Sequence, residues 1–153
     1  MCAVFYNGFL DDDWSREKEK VDAEIAPLLA ELAAQTDGSP LQKYLATEPV
    51  RMKLLAARTT PLPLARVVDH IDHFVKLAGV DSVGIGSDYD GIPAAPQGLG
   101  DISQLPNLTA ELLRRGYTAA DAAKILVGNI LRVLEATQAG SADNLVRNEP
   151  PGE

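Results

Sequence analysis

Residues 79–91 read Gly-Val-Asp-Ser-Val-Gly-Ile-Gly-Ser-Asp-Tyr-Asp-Gly, and no other stretch of the chain restricts the fold as much. Val80, Val83 and Ile85 are β-branched, glycines bound the run, and helical patterns flank it. That combination predicts a buried parallel strand of an α/β protein. Side chains that follow the carboxyl end of such a strand face the place where α/β barrels and open sheets bind ligands. Asp88 is therefore the first candidate for a catalytic role. Ser, Asp and Gly are also ordinary residues of a strand-to-helix loop, and Asp90-Gly91 is a turn signal, so on spacing alone a plain loop reading stands beside the catalytic one. Gly84 and Gly86 alternate on one strand face, where glycine marks close approach of a backbone or a ligand.

Composition narrows the class of molecule. The 153 residues are 46% hydrophobic and contain no apolar run long enough to span a bilayer, which predicts one domain or part of a larger one. The amino-terminal residues Met1 to Tyr6 lack the basic and apolar regions of a signal peptide, so the expected location is the cytoplasm. A single cysteine, Cys2, leaves no partner for an internal disulfide and no thiolate metal cluster. With a net charge of -8, neither nucleic acid nor an anionic membrane is the expected partner.

Taken in order, Cys2 to Phe9 reads as a buried strand leading into a loop at Asn7-Gly8. Residues 14–34 carry Val21, Ile25, Leu28, Leu29 and Leu32 at helical spacing, with Pro27 as either a kink or the start of a second helix. Residues 41–57 read as another helix, interrupted near Pro49. An extended linker at 59–63 precedes a helix over 64–78, with a stripe of Val67, Ile71, Phe74, Val75 and Ala78 and a stop at Gly79. Its run Asp69-His70-Ile71-Asp72-His73 has the residue types of a metal site. However, His70 and Asp72 fall on different faces of a helix, and two histidines do not close a site. Residues 92–105 form a loop in the position where barrels place site-forming loops, followed by a helix from Pro106 to Arg115. Thr118 caps a final helix with an apolar face of Ala122, Ile125, Leu126, Ile130, Val133 and Leu134; Asn129 and Arg132, lying among these, are expected to hydrogen-bond inside the protein. Residues 138–153 read as a polar, disordered tail.

Several of these segments, taken together, resemble the closing third of the membrane (renal) dipeptidases. They are Asp69 to His73, Ala78 to Gly91, Leu105-Pro106-Asn107-Leu108, Ala110 to Thr118 and Gly128-Asn129-Ile130-Leu131-Arg132-Val133, and the likeness covers roughly residues 3–137. The resemblance implies the carboxyl-terminal part of a metal-dependent-hydrolase-type TIM barrel, its last strands and helices without the rest, carrying a helical insert at about 14–57. It implies a peptide hydrolase that cleaves dipeptides with two zinc ions. The family's His-x-Asp pair, bridging Glu and two later histidines have no counterpart here, so the isolated chain is expected to bind no zinc and to be inactive. Asp88 matches the first Asp of the family motif Gly-x-Asp-x-Asp-Gly and takes the role of proton-transfer carboxylate. Tyr89 and Asp90 would shape the loop behind it, while Asn7 and Phe9 resemble wall residues of the substrate pocket.

Two other readings remain open: a different binuclear amidohydrolase, and a non-catalytic assembly module made from a degenerate barrel piece. The insert and the Asp69 to His73 segment favour the dipeptidases over the first. In either case an isolated barrel piece would leave a sheet edge and an apolar face exposed, which predicts self-association.

Overall fold

The computed structural model describes residues 1–147. Strand β1 (Cys2–Val4) leads into a single helical turn, α1 (Asn7–Leu10), and then a helical hairpin of α2 (Asp12–Gln35) and α3 (Pro40–Arg58). Helix α4 (Ala65–Ala78) precedes strand β2 (Gly84–Ser87), and α5 (Leu105–Arg114), α6 (Ala119–Ala123) and α7 (Asn129–Arg147) complete the described chain.

The two strands pair in parallel, with Cys2 opposite Gly84, Ala3 opposite Ile85 and Val4 opposite Ser87. Parallel pairing with helices between the strands is as expected, but both strands are shorter. Val80–Ser82 is a 3-10 turn, not strand, because the Asn129 amide donates to the carbonyls of both Val80 and Val83 at 2.8 Å. Beyond Val4 the chain also leaves the sheet, so Asn7 and Phe9 lie on α1 and not at a strand end. Gly84 and Gly86 do mark close approaches, but of the protein's own chain: a β-carbon would lie 2.9 Å from Ile130 Cγ1 at Gly84 and 3.1 Å from Cys2 Cβ at Gly86.

Neither proline breaks its helix. Pro27 sits inside α2 and Pro49 inside α3, and both helices run through. Each has a strong start: the Asp11 carboxylate accepts from the N–H groups of Asp13 and Trp14, and Ser39 forms a reciprocal capping box with Gln42. The hairpin has a small core of its own, Val21, Ile25 and Leu55. Arg51 closes it from α3 with a two-pronged contact to Asp22 at 2.9 Å. Glu17 fastens the hairpin to the linker through the Thr60 N–H and hydroxyl.

The main core gathers Ala3 and Phe5 from the β1 segment, Trp14 from α2, Val67, Val68 and Ile71 from α4, Val83 before β2, Leu108 and Leu112 from α5, and Ile125. Residues Lys124–Gly128 form one π-turn between α6 and α7. The helix after it does not end near Thr137 but runs to Arg147; the rest of the expected tail, 148–153, lies outside the described residues. Ile130, Val133 and Leu134 are not core residues: they are 40–53% exposed and line an apolar hollow of about 440 Å³ with Met1 and Cys2. Asn129 is buried as expected, whereas Arg132 reaches the Asp81 carbonyl at the surface.

Candidate active site at the carboxyl edge of the sheet

Because β1 and β2 run parallel and Val4 pairs with Ser87, the segments that follow them emerge at the same edge. This brings the Asn7 to Phe9 turn and the Asp88 to Asp90 turn to one end of the sheet, the end where α/β folds place their ligands. Phe5 joins the two segments: its N–H donates to the Ser87 carbonyl at 3.1 Å. Its ring meets Tyr89 edge-on at 5.6 Å.

Asp88 is exposed, and it is the only residue other than glycine with positive φ among those described, at φ 69 and ψ 32. Aspartate tolerates the left-handed region better than most residues, yet the conformation still costs energy, and such costs concentrate at functional sites. Tyr89–Gly91 follows as a 3-10 turn. Tyr89 is half-buried, and its hydroxyl donates to the Asp101 carbonyl at 3.1 Å, tying the turn to the long loop after it. Burial, with the Asp101 charge second, holds the Tyr89 hydroxyl above its ordinary pKa and keeps it a donor. Asp90 is exposed.

The two residues on α1 differ from each other. Asn7 is fully buried, and neither its Oδ1 nor its Nδ2 has a hydrogen-bond partner. An unsatisfied buried amide is expensive and marks a position where a polar group is wanted. Phe9 is 68% exposed, stacks edge-on to Tyr6 at 5.0 Å and borders a hollow with Val4, His70 and Phe74 that does not include Asp88. The parallel strands thus bring the segments that carry Asn7, Tyr89 and Asp90 to the end of the sheet that carries Asp88, with the Asn7 side chain buried and Phe9 beside α4.

The Asp69 to His73 run serves packing. Arg115 donates to Asp69 at 2.7 Å, to Asp72 at 2.8 Å and to Glu111 at 3.1 Å, clamping α4 to the end of α5. The Tyr117 hydroxyl donates to Asp72 at 2.8 Å. His70 rests edge-on against Phe74. Arg115 and Phe5 are the two supporting residues that local sequence patterns missed. Arg115 lies within a segment that carries the family likeness, but its partners on α4, Asp69 and Asp72, are more than forty positions away in sequence. The described residues do not fit a metal centre: no three His, Cys, Asp or Glu side chains converge on a point.

The clamp sets an acid limit. Paired contacts from Arg114 at 2.6 Å, with Arg115 adding to them, outweigh burial and pull the Glu111 carboxyl from 4.5 to about 2. A depressed folded-state pKa contributes stability above the unfolded value that disappears as protons bind. The melting temperature is therefore expected to fall as pH drops from about 4.5 to 2, and to fall less in Glu111→Gln, whose melting temperature at pH 6 starts lower. Equal acid sensitivity of the two proteins in thermal melts would remove Glu111 from the account.

A model of the membrane dipeptidase family, peptidase family M19, matches residues 3–147. Dipeptidase ataJ of Aspergillus terreus is 43% identical over 88 residues, covering 58% of this chain and 20% of the relative. Dipeptidase aclJ of Aspergillus oryzae is 48% identical over 71 residues, 46% of this chain and 17% of the relative. The chain thus spans a fifth or less of the length of these curated relatives. Among solved structures, the probable dipeptidase PvdM from Pseudomonas aeruginosa superposes with a TM-score of 0.53 and 32% identity, covering 77% of this chain and 32% of that one.

Proposed function

The chain belongs to the membrane dipeptidase family, and on that premise we propose that it supplies the closing strands and helices of a metal-dependent dipeptidase barrel, with Asp88 as the proton-transfer group. The observation that carries this reading is the left-handed, exposed Asp88 at the carboxyl end of a parallel strand. Hydrolysis of a peptide bond needs a base for the attacking water and an acid for the departing amine, and one carboxylate can serve as both in turn. The Asp88 carboxylate takes a proton as the water oxygen bonds to the carbonyl carbon. It returns that proton to the amine nitrogen as the carbon–nitrogen bond breaks. Tyr89 and Asp90 form the wall beside it, while Asn7, fully buried on α1, lies below the surface that a dipeptide would touch.

On this reading the family's zinc ligands belong to parts of the family's length that these residues do not match, and the chain alone cleaves nothing. Dialysed chain is then expected to carry far less than one zinc ion in elemental analysis, whereas about two per chain, the number in a two-metal site, would contradict it. The activity test is a chimera in which residues 3–147 replace the matching segment of the Pseudomonas aeruginosa relative. It is expected to hydrolyse dipeptides. A folded, metal-loaded chimera that hydrolyses none would overturn the proposal.

A further inference from the structure

Gly91 ends the 3-10 turn after Asp88, and its N–H donates to the Asp88 carbonyl at 3.0 Å. Its φ is not among the positive values, so the backbone at 91 would accept an alanine. The space beside it would not. A β-carbon at 91 would lie 2.5 Å from Asp88 Oδ1, 3.2 Å from Cγ and 3.4 Å from Oδ2, and these three nearest atoms belong to one carboxyl group. Apart from the chain neighbours Asp90 and Ile92, no other side chain among the described residues comes nearer to that space. Two features thus converge on one group: the left-handed backbone at 88 sends the carboxyl group back over the turn, and the missing side chain at 91 gives it a place to lie.

We propose that Gly91 is a positioning residue for the proton transfer assigned to Asp88, its hydrogen in place of a side chain setting where the carboxylate stands. The inference rests on the proposed function for its chemistry, but its geometry stands on the contact alone. The group in the way is the free end of a flexible side chain, so a methyl group at 91 displaces the carboxylate without unfolding the turn. Gly→Ala at a compatible φ also restricts the unfolded chain, which favours folding. This separates Gly91 from a structural glycine, whose loss would appear as instability.

Gly91→Ala in the full chain is expected to change the Asp88 carboxyl ¹³C shift and its χ1-dependent couplings, while amide resonances outside the 87–92 turn stay in place and the melting temperature does not fall. In the chimera, the same substitution is expected to lower kcat by about 100-fold, the scale of a misplacement near 1 Å, with KM changed much less. An unmoved Asp88 carboxyl group, or a fully active Gly91→Ala chimera beside an inactive Asp88→Asn one, overturns the positioning role alone. Full activity of Asp88→Asn removes the catalytic assignment on which the role rests.

Discussion

Replacing Phe5 with alanine is expected to cost about 3–5 kcal/mol, a large part of the 5–15 kcal/mol that holds a typical domain folded. The ring is fully buried in the main core, where α4, α5 and both strand segments meet. Truncation removes the transfer energy of the ring and leaves a cavity that surrounding helices fill only in part. It also removes the edge-on contact with Tyr89, worth about 0.5–1.5 kcal/mol beyond burial. Tyr89 in turn holds the Asp101 carbonyl, so the loss reaches the turn that carries Asp88. The melting temperature is expected to fall by roughly 6–20 °C, at about 2–4 °C per kcal/mol for a chain of this length. Phe5→Leu keeps an apolar side chain and is expected to cost less than about 2 kcal/mol. Thermal melts followed by circular dichroism decide the matter, and a Phe5→Ala melt within about 3 °C of the parent would show that the core is not built around this ring.

How much of this was legible in the sequence depended on how local the controlling interaction was. The 65–78 helix was readable from its own stripe and from Gly79, and Thr118 from its cap, because those signals lie within a turn of the element they control. Val80 and Val83 have the composition of strand, but their carbonyls are claimed by Asn129, 46 to 49 positions later, so the strand starts at Gly84. Pro27 reads as a kink or a second start and Pro49 as an interruption, yet α2 and α3 each run through, packed against each other and joined by the Arg51–Asp22 pair. Tertiary context overrides propensity in both cases. At the candidate site, the sequence singled out Asp88, and the structure puts it directly after β2. The left-handed backbone at Asp88, the buried orphan amide of Asn7 on α1 and the fit of the carboxyl group against Gly91 are properties of the folded chain and have no sequence signal of their own. Helical geometry alone argues against a metal site at Asp69 to His73, whereas the contacts of Asp69 and Asp72 with Arg115, which follows them by 43–46 positions, are visible only in the fold.

The substitution Asp88→Asn bears on the function directly. Asparagine matches aspartate in size and is among the few residues that accept a left-handed backbone, so folding is expected to survive unchanged. What disappears is the oxygen that can take and return a proton. Removing a general acid–base costs about two to four orders of magnitude in turnover, with substrate binding little altered. Asp90→Asn is expected to do far less, because Asp90 is an exposed residue within the turn and not at the strand's end. A purely structural Asp88 predicts the opposite pattern, a lower melting temperature with activity that tracks the folded fraction. The measurement that separates these is kcat for dipeptide hydrolysis by the parent and Asp88→Asn chimeras, taken with zinc content and melting temperature on the same samples. The account predicts a fall in kcat of at least about a hundredfold at unchanged zinc and unchanged melting temperature; an Asp88→Asn chimera that turns over dipeptide as fast as its parent would contradict it.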